Sequence, residues 1–180
     1  MKTGYRKIEL DAPNLGKREK NYLTKAIETN FISTFGPFIQ EFEEKFAAYV
    51  NAKKAVSTQS GTSAIHIALH ELGIKNGDEV IVPALTFIAP ANAVRYCNAY
   101  PVFIDCDPQT LCIDVEKLST FFQKECTKAK DGSLVNKKTK RVIKAIIPVH
   151  VFGHPADLNA LCLLSKKYNV PIIEDATESI

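Results

Sequence analysis

No stretch of this chain approaches the ~20 consecutive apolar residues that a membrane-spanning helix needs, and Met1–Leu10 lacks the continuous apolar segment of a secretion signal. The expectation is a cytoplasmic protein that does not enter a membrane. Proline and glycine are not in excess and no block of like charge occurs; 46% hydrophobic and 24% charged residues are ordinary values for a folded globular chain. The five cysteines (Cys97, Cys106, Cys112, Cys126, Cys162) contain no C-x-x-C pair and are odd in number. That excludes a disulfide framework and a zinc ribbon, and fits reduced thiols. A strong charge of one sign is also missing: 23 basic and 20 acidic residues give a formal charge of +3, too little to recruit nucleic acid or membrane by a global field. The densest basic run, Lys124–Arg141, is diluted by Asp131, Gly132 and Ser133 and has no interleaved aromatics for base stacking. It reads as a solvated loop.

What is present is alternation. Tyr22, Leu23, Ala26 and Ile27 fall at helical spacing within Lys17–Thr29, as do Phe38, Phe42, Phe46 and Tyr49 or Val50 within Phe38–Val50. Gly36-Pro37 separates these two helices, and Pro37 suits the first position of the second. From Lys54 onward short apolar runs alternate with helical patterns, the signature of a mainly parallel sheet. Strands are expected at Ala55–Ser57, Glu79–Val82, Pro101–Ile104, Val142–Ile147 and Pro171–Ile173. The helices between them are expected at Thr62–Leu72, Ala89–Tyr96, Val115–Lys124 and Leu158–Tyr168, with Thr127–Thr139 a loosely structured connection. Continuous apolar strands such as Ala145-Ile146-Ile147 suit a sheet covered on both faces, hence a three-layer α/β/α fold. The organisation expected is a helical segment over residues 1–53 and an α/β domain over 54–180.

Chemistry has a few places to sit. Ser57–Ala64 hands a strand over to a helix through small hydroxyl residues and Gly61; unpaired N–H groups and the helix dipole make such a turn an anion cradle, in which Thr62 and Ser63 add hydroxyls. A plain Ser/Thr N-cap is the alternative. Val170–Ala176 is an apolar strand ending in Glu174 and Asp175 at the edge where open α/β sheets bind ligands. A carboxylate there suits a protonated ring nitrogen, but also a helix cap or a divalent metal. Phe87, just past another strand, is either core or a plate for a flat ring. Neither His150/His154 nor His66/His70 reads as a metal site: Gly153 and Pro155 oppose a helix at the first pair, and no acidic residue completes a zinc pattern at the second.

Taken together, Phe31–Pro37 with Phe42-Glu43, Ser60–Ala64, Gly77–Pro83 with Thr86-Phe87, Pro101–Asp105, Val149–Gly153 with Asp157, and Ile173–Ala176 resemble the DegT/DnrJ/EryC1/StrS family of sugar aminotransferases over nearly the whole chain. The resemblance implies the large domain of a fold-type I enzyme that uses pyridoxal 5'-phosphate. It implies Gly61 and Thr62 at the cofactor phosphate, Phe87 stacked on the pyridine ring, Asp175 paired with the ring nitrogen, and Glu178 near the phenolic oxygen, where many members carry Gln. It further implies a nucleotide-linked keto sugar as amino acceptor, an amino donor such as glutamate, and a homodimer.

One departure qualifies these expectations. The family's Schiff-base lysine lies well downstream of the Glu-Asp-Ala segment, and none of the lysines here matches it, so the sequence offers no catalytic residue of its own. An incomplete large domain with apolar surface at its edge is expected, inactive by itself in amino transfer. The alternative is a non-catalytic remnant or cofactor-binding module.

Overall fold

The computed structural model describes residues 13–33 and 35–179; the Met1–Leu10 reading, Thr34 of the Phe31–Pro37 segment and Ile180 lie outside the described residues. The chain divides into two compact units, Met1–Ser57 and Thr58–Ile180. Among the described residues no helix is long and apolar enough to cross a membrane.

The first unit holds α1 (Lys17–Glu28) and α2 (Pro37–Tyr49). The start of α1 is tied by the Gly16 N–H, which donates to Glu19 Oε2 at 2.6 Å. Its end is closed by Asn30 in the left-handed conformation, with the Phe31 N–H returning to the Ala26 carbonyl at 3.0 Å. Pro37 occupies the first turn of α2, as its missing N–H allows. Tyr22 and Phe38 meet edge to face, their ring centroids 5.5 Å apart. The expected strand Ala55–Ser57 does not form. The Ser57 N–H and hydroxyl both donate to Glu43 Oε1 at 2.8 Å, so a carboxylate takes the bonds that a neighbouring strand would have taken.

The second unit is built on a five-stranded sheet of order β2-β1-β5-β4-β3, comprising β1 (Glu79–Pro83), β2 (Tyr100–Ile104), β3 (Cys126–Lys128), β4 (Leu134–Asn136) and β5 (Val142–Ile146). Every residue of β1 is buried, as befits a central strand. It runs parallel to β2 and to β5, whereas β4 is antiparallel to β5 and to β3. The sheet is therefore mixed. The Thr127–Thr139 segment, expected as a loose connection, contributes a strand pair closed by a turn in which Gly132 has φ +85° and Ser133 donates to Asp131. Lysines disguise its period of two, but Cys126, Leu134 and Asn136 are buried, and Asn136 Nδ2 reaches the buried Glu79 carboxylate at 2.9 Å. The expected strand at Pro171–Ile173 shrinks to isolated parallel bridges, Ile146 with Ile172 and Val149 with Asp175.

Alternation along β1 sorts the core into two layers. Ile81 joins Ile143, Ile146, Leu118, Phe122 and Leu161 beneath α5 (Val115–Glu125) and α6 (Leu158–Tyr168). Val80 and Val82 join Ala145, Ile147, Ile65, Leu69 and Val94 beneath α3 (Gly61–Glu71) and α4 (Ala89–Tyr96). The three-layer α/β/α arrangement follows. Strand β2 is the outer edge beside β1 and leaves Phe103 55% exposed. Asp114 caps α5 by accepting from the Lys117 N–H at 2.9 Å, and Asp157 caps α6 from the Ala160 N–H at 3.0 Å.

Burial, reinforced by the nearby Glu79 carboxylate, pushes the Cys126 thiol up to about 11 from an ordinary 9.0. The folded state thus disfavours a charge that the unfolded chain accepts. This contribution is whole below pH 9.0 and is lost as pH rises through about 11. Urea midpoints are expected to fall across that window and to fall less in Cys126→Ala. At pH 8 iodoacetamide should modify the exposed Cys162 well before Cys126.

Candidate functional site

A cavity of about 650 Å³ opens at the C-terminal edge of the parallel strands, where open α/β sheets carry their ligands. Four segments wall it. The start of α3 brings Ser60, Gly61 and Thr62; the turn after β1 brings Thr86 and Phe87; the chain after β5 brings His150 and Phe152; and the last bridge brings Asp175, Thr177 and Glu178. All five residues singled out in the sequence, Gly61, Thr62, Phe87, Asp175 and Glu178, line this one cavity.

At the α3 end, Ser60 is an N-cap: its Oγ accepts from the Ser63 N–H at 3.2 Å and lies 3.0 Å from the Ser63 hydroxyl. Capping leaves the donors of Gly61 and Thr62 over, and no acceptor meets either N–H among the described residues. Cap and anion cradle are therefore compatible. A Cβ built on Gly61 would sit 3.6 Å from Thr177 Oγ1, an ordinary contact, so the protein itself does not demand glycine there.

Phe87 is no core residue. It is 80% exposed and presents its ring at the cavity. Beside it, the Thr86 hydroxyl is buried and meets no hydrogen-bond partner among the described residues, a cost that native proteins rarely leave uncompensated. Asp175 is fixed on one side only. Its Oδ1 accepts from the Thr177 hydroxyl at 2.7 Å and the Thr177 N–H at 3.3 Å, while Oδ2 has no donor among the described residues.

Glu178 is held from across the cavity, its Oε2 accepting from the Phe152 N–H at 2.6 Å. Phe152 lies in the left-handed region at φ 55° within the single 3-10 turn Val151–Gly153, a conformation that costs a phenylalanine on the order of 1–3 kcal/mol. Gly153 follows at φ +77°, and a Cβ there would come within 2.9 Å of the Glu178 carbonyl oxygen. Gly153→Ala is expected to destabilise the unit by roughly 1–2 kcal/mol from the backbone alone. It should also push the 176–179 segment away, which a lowered melting temperature and altered backbone NMR shifts at Glu178 would report. Behind this turn the Cys112 thiol donates to the His154 carbonyl at 3.2 Å, and burial raises its pKa so that it stays protonated.

Sequence reading picked out the cradle, the ring plate and the acids. It assigned no part to Thr86, Thr177 or Phe152, although Thr86 stands directly beyond a strand end, where a polar residue is worth notice. As for fit, the cavity offers anion-seeking N–H groups at one end, an exposed aromatic ring on a wall, a half-free carboxylate and an unpartnered hydroxyl. Those donors and acceptors suit a flat, phosphorylated, nitrogen-containing ring.

A three-layer sheet with such a cavity beyond its strand ends has the architecture of the large domain of fold-type I pyridoxal-phosphate-dependent transferases. The aminotransferase from Psychrobacter cryohalolentis is similar at a TM-score of 0.79 and 30% identity, over 93% of this chain and 38% of that one. NtdA from Bacillus subtilis, solved with its cofactor PMP bound, is similar at 0.75 and 34% identity, over 89% of this chain and 33% of its own. Residues 13–180 match the DegT/DnrJ/EryC1/StrS aminotransferase family, and the chain belongs to it. A GDP-perosamine synthase of Caulobacter vibrioides is 40% identical over 174 residues, 97% of this chain and 42% of that protein. The chain thus spans about two fifths of the length of the curated relatives it matches.

Proposed function

We propose that the Thr58–Ile180 unit supplies the pyridoxal 5'-phosphate cavity of a cytoplasmic, homodimeric aminotransferase that passes an amino group from a donor such as glutamate to a nucleotide-linked keto sugar. The observation that carries this reading is the convergence of Gly61, Thr62, Phe87, Asp175 and Glu178, drawn from separate segments, on one cavity. Bound there, the cofactor supplies an electron sink for the pair left on a substrate carbon when its proton departs.

The chain's own residues would hold and orient it. The free N–H groups of Gly61 and Thr62 and the dipole of α3 hold the phosphate. Phe87 fixes the plane of the ring. Asp175 Oδ2 would accept a hydrogen bond from the ring N–H and so keep that nitrogen protonated and charged. Glu178, anchored through Oε2, would stand near the cofactor's phenolic oxygen. A nucleotide-linked sugar is the acceptor suggested by the kinship with GDP-perosamine synthase.

Titrating the chain with pyridoxal phosphate tests the reading. Saturable binding at one site, with an induced circular-dichroism band in the cofactor's visible absorption, is expected; no binding would overturn it. Release of 2-oxoglutarate from glutamate beyond one equivalent per bound cofactor, only when a GDP- or UDP-linked keto sugar is present, tests the transfer, and sedimentation tests the dimer. Binding without transfer would restrict the chain to holding the cofactor.

A further inference from the structure

His150 takes no part in the cofactor contacts just assigned, yet it is only 2% exposed and lines the same cavity. A buried imidazole is costly unless both ring nitrogens find partners, and here both do. Nδ1 accepts from the Ala156 N–H at 3.1 Å, so it carries a lone pair; the ring proton of the neutral imidazole is therefore on Nε2, which faces Glu174 Oε1 at 2.9 Å. The backbone joins the same two segments. The His150 N–H donates to the Asp175 carbonyl at 3.1 Å, and the Asp175 N–H donates to the Pro148 carbonyl at 3.0 Å.

We infer that His150 is a positioning residue that sets the direction of the Asp175 carboxylate, an inference that rests on reading the cavity as the cofactor site. The segment carrying Asp175 touches the sheet through isolated bridges instead of a continuous ladder. At its end only the two backbone bonds of Asp175 hold it, with no ladder beyond them, so a side-chain tie adds directly to that hold. The imidazole is that tie. It ties Glu174, the residue before Asp175, to a ring clamped by Ala156 on its far side. With Oδ1 of Asp175 already committed to Thr177, the aim of Oδ2 follows the peptide plane between Glu174 and Asp175. A flat side chain with an acceptor at one edge and a donor at the other spans this gap; asparagine keeps only the acceptor end.

The test is a double-mutant cycle on the affinity of the chain for pyridoxal phosphate. His150→Asn is expected to weaken binding about tenfold in the wild-type background and again about tenfold beside Thr62→Val, which trims the phosphate end. Beside Asp175→Asn, the additional loss should be less than about twofold, because the group being aimed has already been disabled. Glu174→Ala alters a half-exposed side chain and should show the same pattern at smaller size, so the question stays answerable if the His150 variant folds poorly. Equal losses from His150→Asn in all three backgrounds, or no loss at all, would overturn the positioning role while leaving the cavity assignment intact. Failure of the wild-type chain to bind the cofactor would remove both.

Discussion

Asp175→Asn is expected to lower the affinity for pyridoxal phosphate roughly 10- to 100-fold, the equivalent of losing one charge-assisted hydrogen bond of about 1.5–3 kcal/mol. The size of the effect follows from where the carboxylate stands. Oδ1 belongs to Thr177 and Oδ2 has no donor among the described residues, whereas the cavity's other acid, Glu178, is tied through Oε2 to the Phe152 N–H. Asparagine retains the shape and an acceptor oxygen, so Thr177 keeps a partner and the fold should be little disturbed. What is lost is the negative charge opposite the ring nitrogen, whose proton then becomes easier to remove. The cofactor titration read as a function of pH checks this. The variant should bind most weakly relative to wild type where the free ring nitrogen is protonated, and unchanged affinity across the range would exclude Asp175 from that role.

Phe122→Ala is expected to cost about 3–5 kcal/mol of stability, and for a chain of this size to lower the melting temperature by roughly 10 °C. Phe122 is 1% exposed and lies in the layer under α5 and α6. Its ring meets Tyr168 edge to face at 4.9 Å, joining the two helices that cover one side of the sheet. Truncation therefore removes buried area and the aromatic pair together. A urea midpoint within error of wild type would mean that the layer collapses to fill the space, contrary to the close packing assigned here.

The helices were legible because their apolar residues recur at helical spacing, and β1 because an uninterrupted apolar run between turns suits a strand buried on both faces. Two segments misled for opposite reasons. Ala55–Ser57 looks like a strand by residue type, but a strand exists only where a neighbour takes its hydrogen bonds, and Glu43 takes those of Ser57. Leu134–Asn136 looks like loop because lysines crowd it, yet its alternate residues are buried against the sheet. In the candidate site, the cradle and the strand-end acids carry local signatures, the small residues and the charge. The two-sided grip of His150 has none, and the position of Thr86 beyond a strand end does not tell that its hydroxyl is buried without a partner among the described residues, since both depend on contacts that sequence spacing does not encode.

The mixed order of the sheet has a consequence for how the molecule is made. β3 and β4 join through a short turn directly after α5, so this hairpin can close quickly on local contacts. β1 must wait for β5, and the cavity must wait longer still, because Ser60 and Asp175 stand near opposite ends of the unit's chain. Within this unit the pocket therefore forms only after the segments at both ends have been made. A ligand that fits it recognises only molecules in which these segments have come together, and at saturating concentration draws the folding equilibrium toward them.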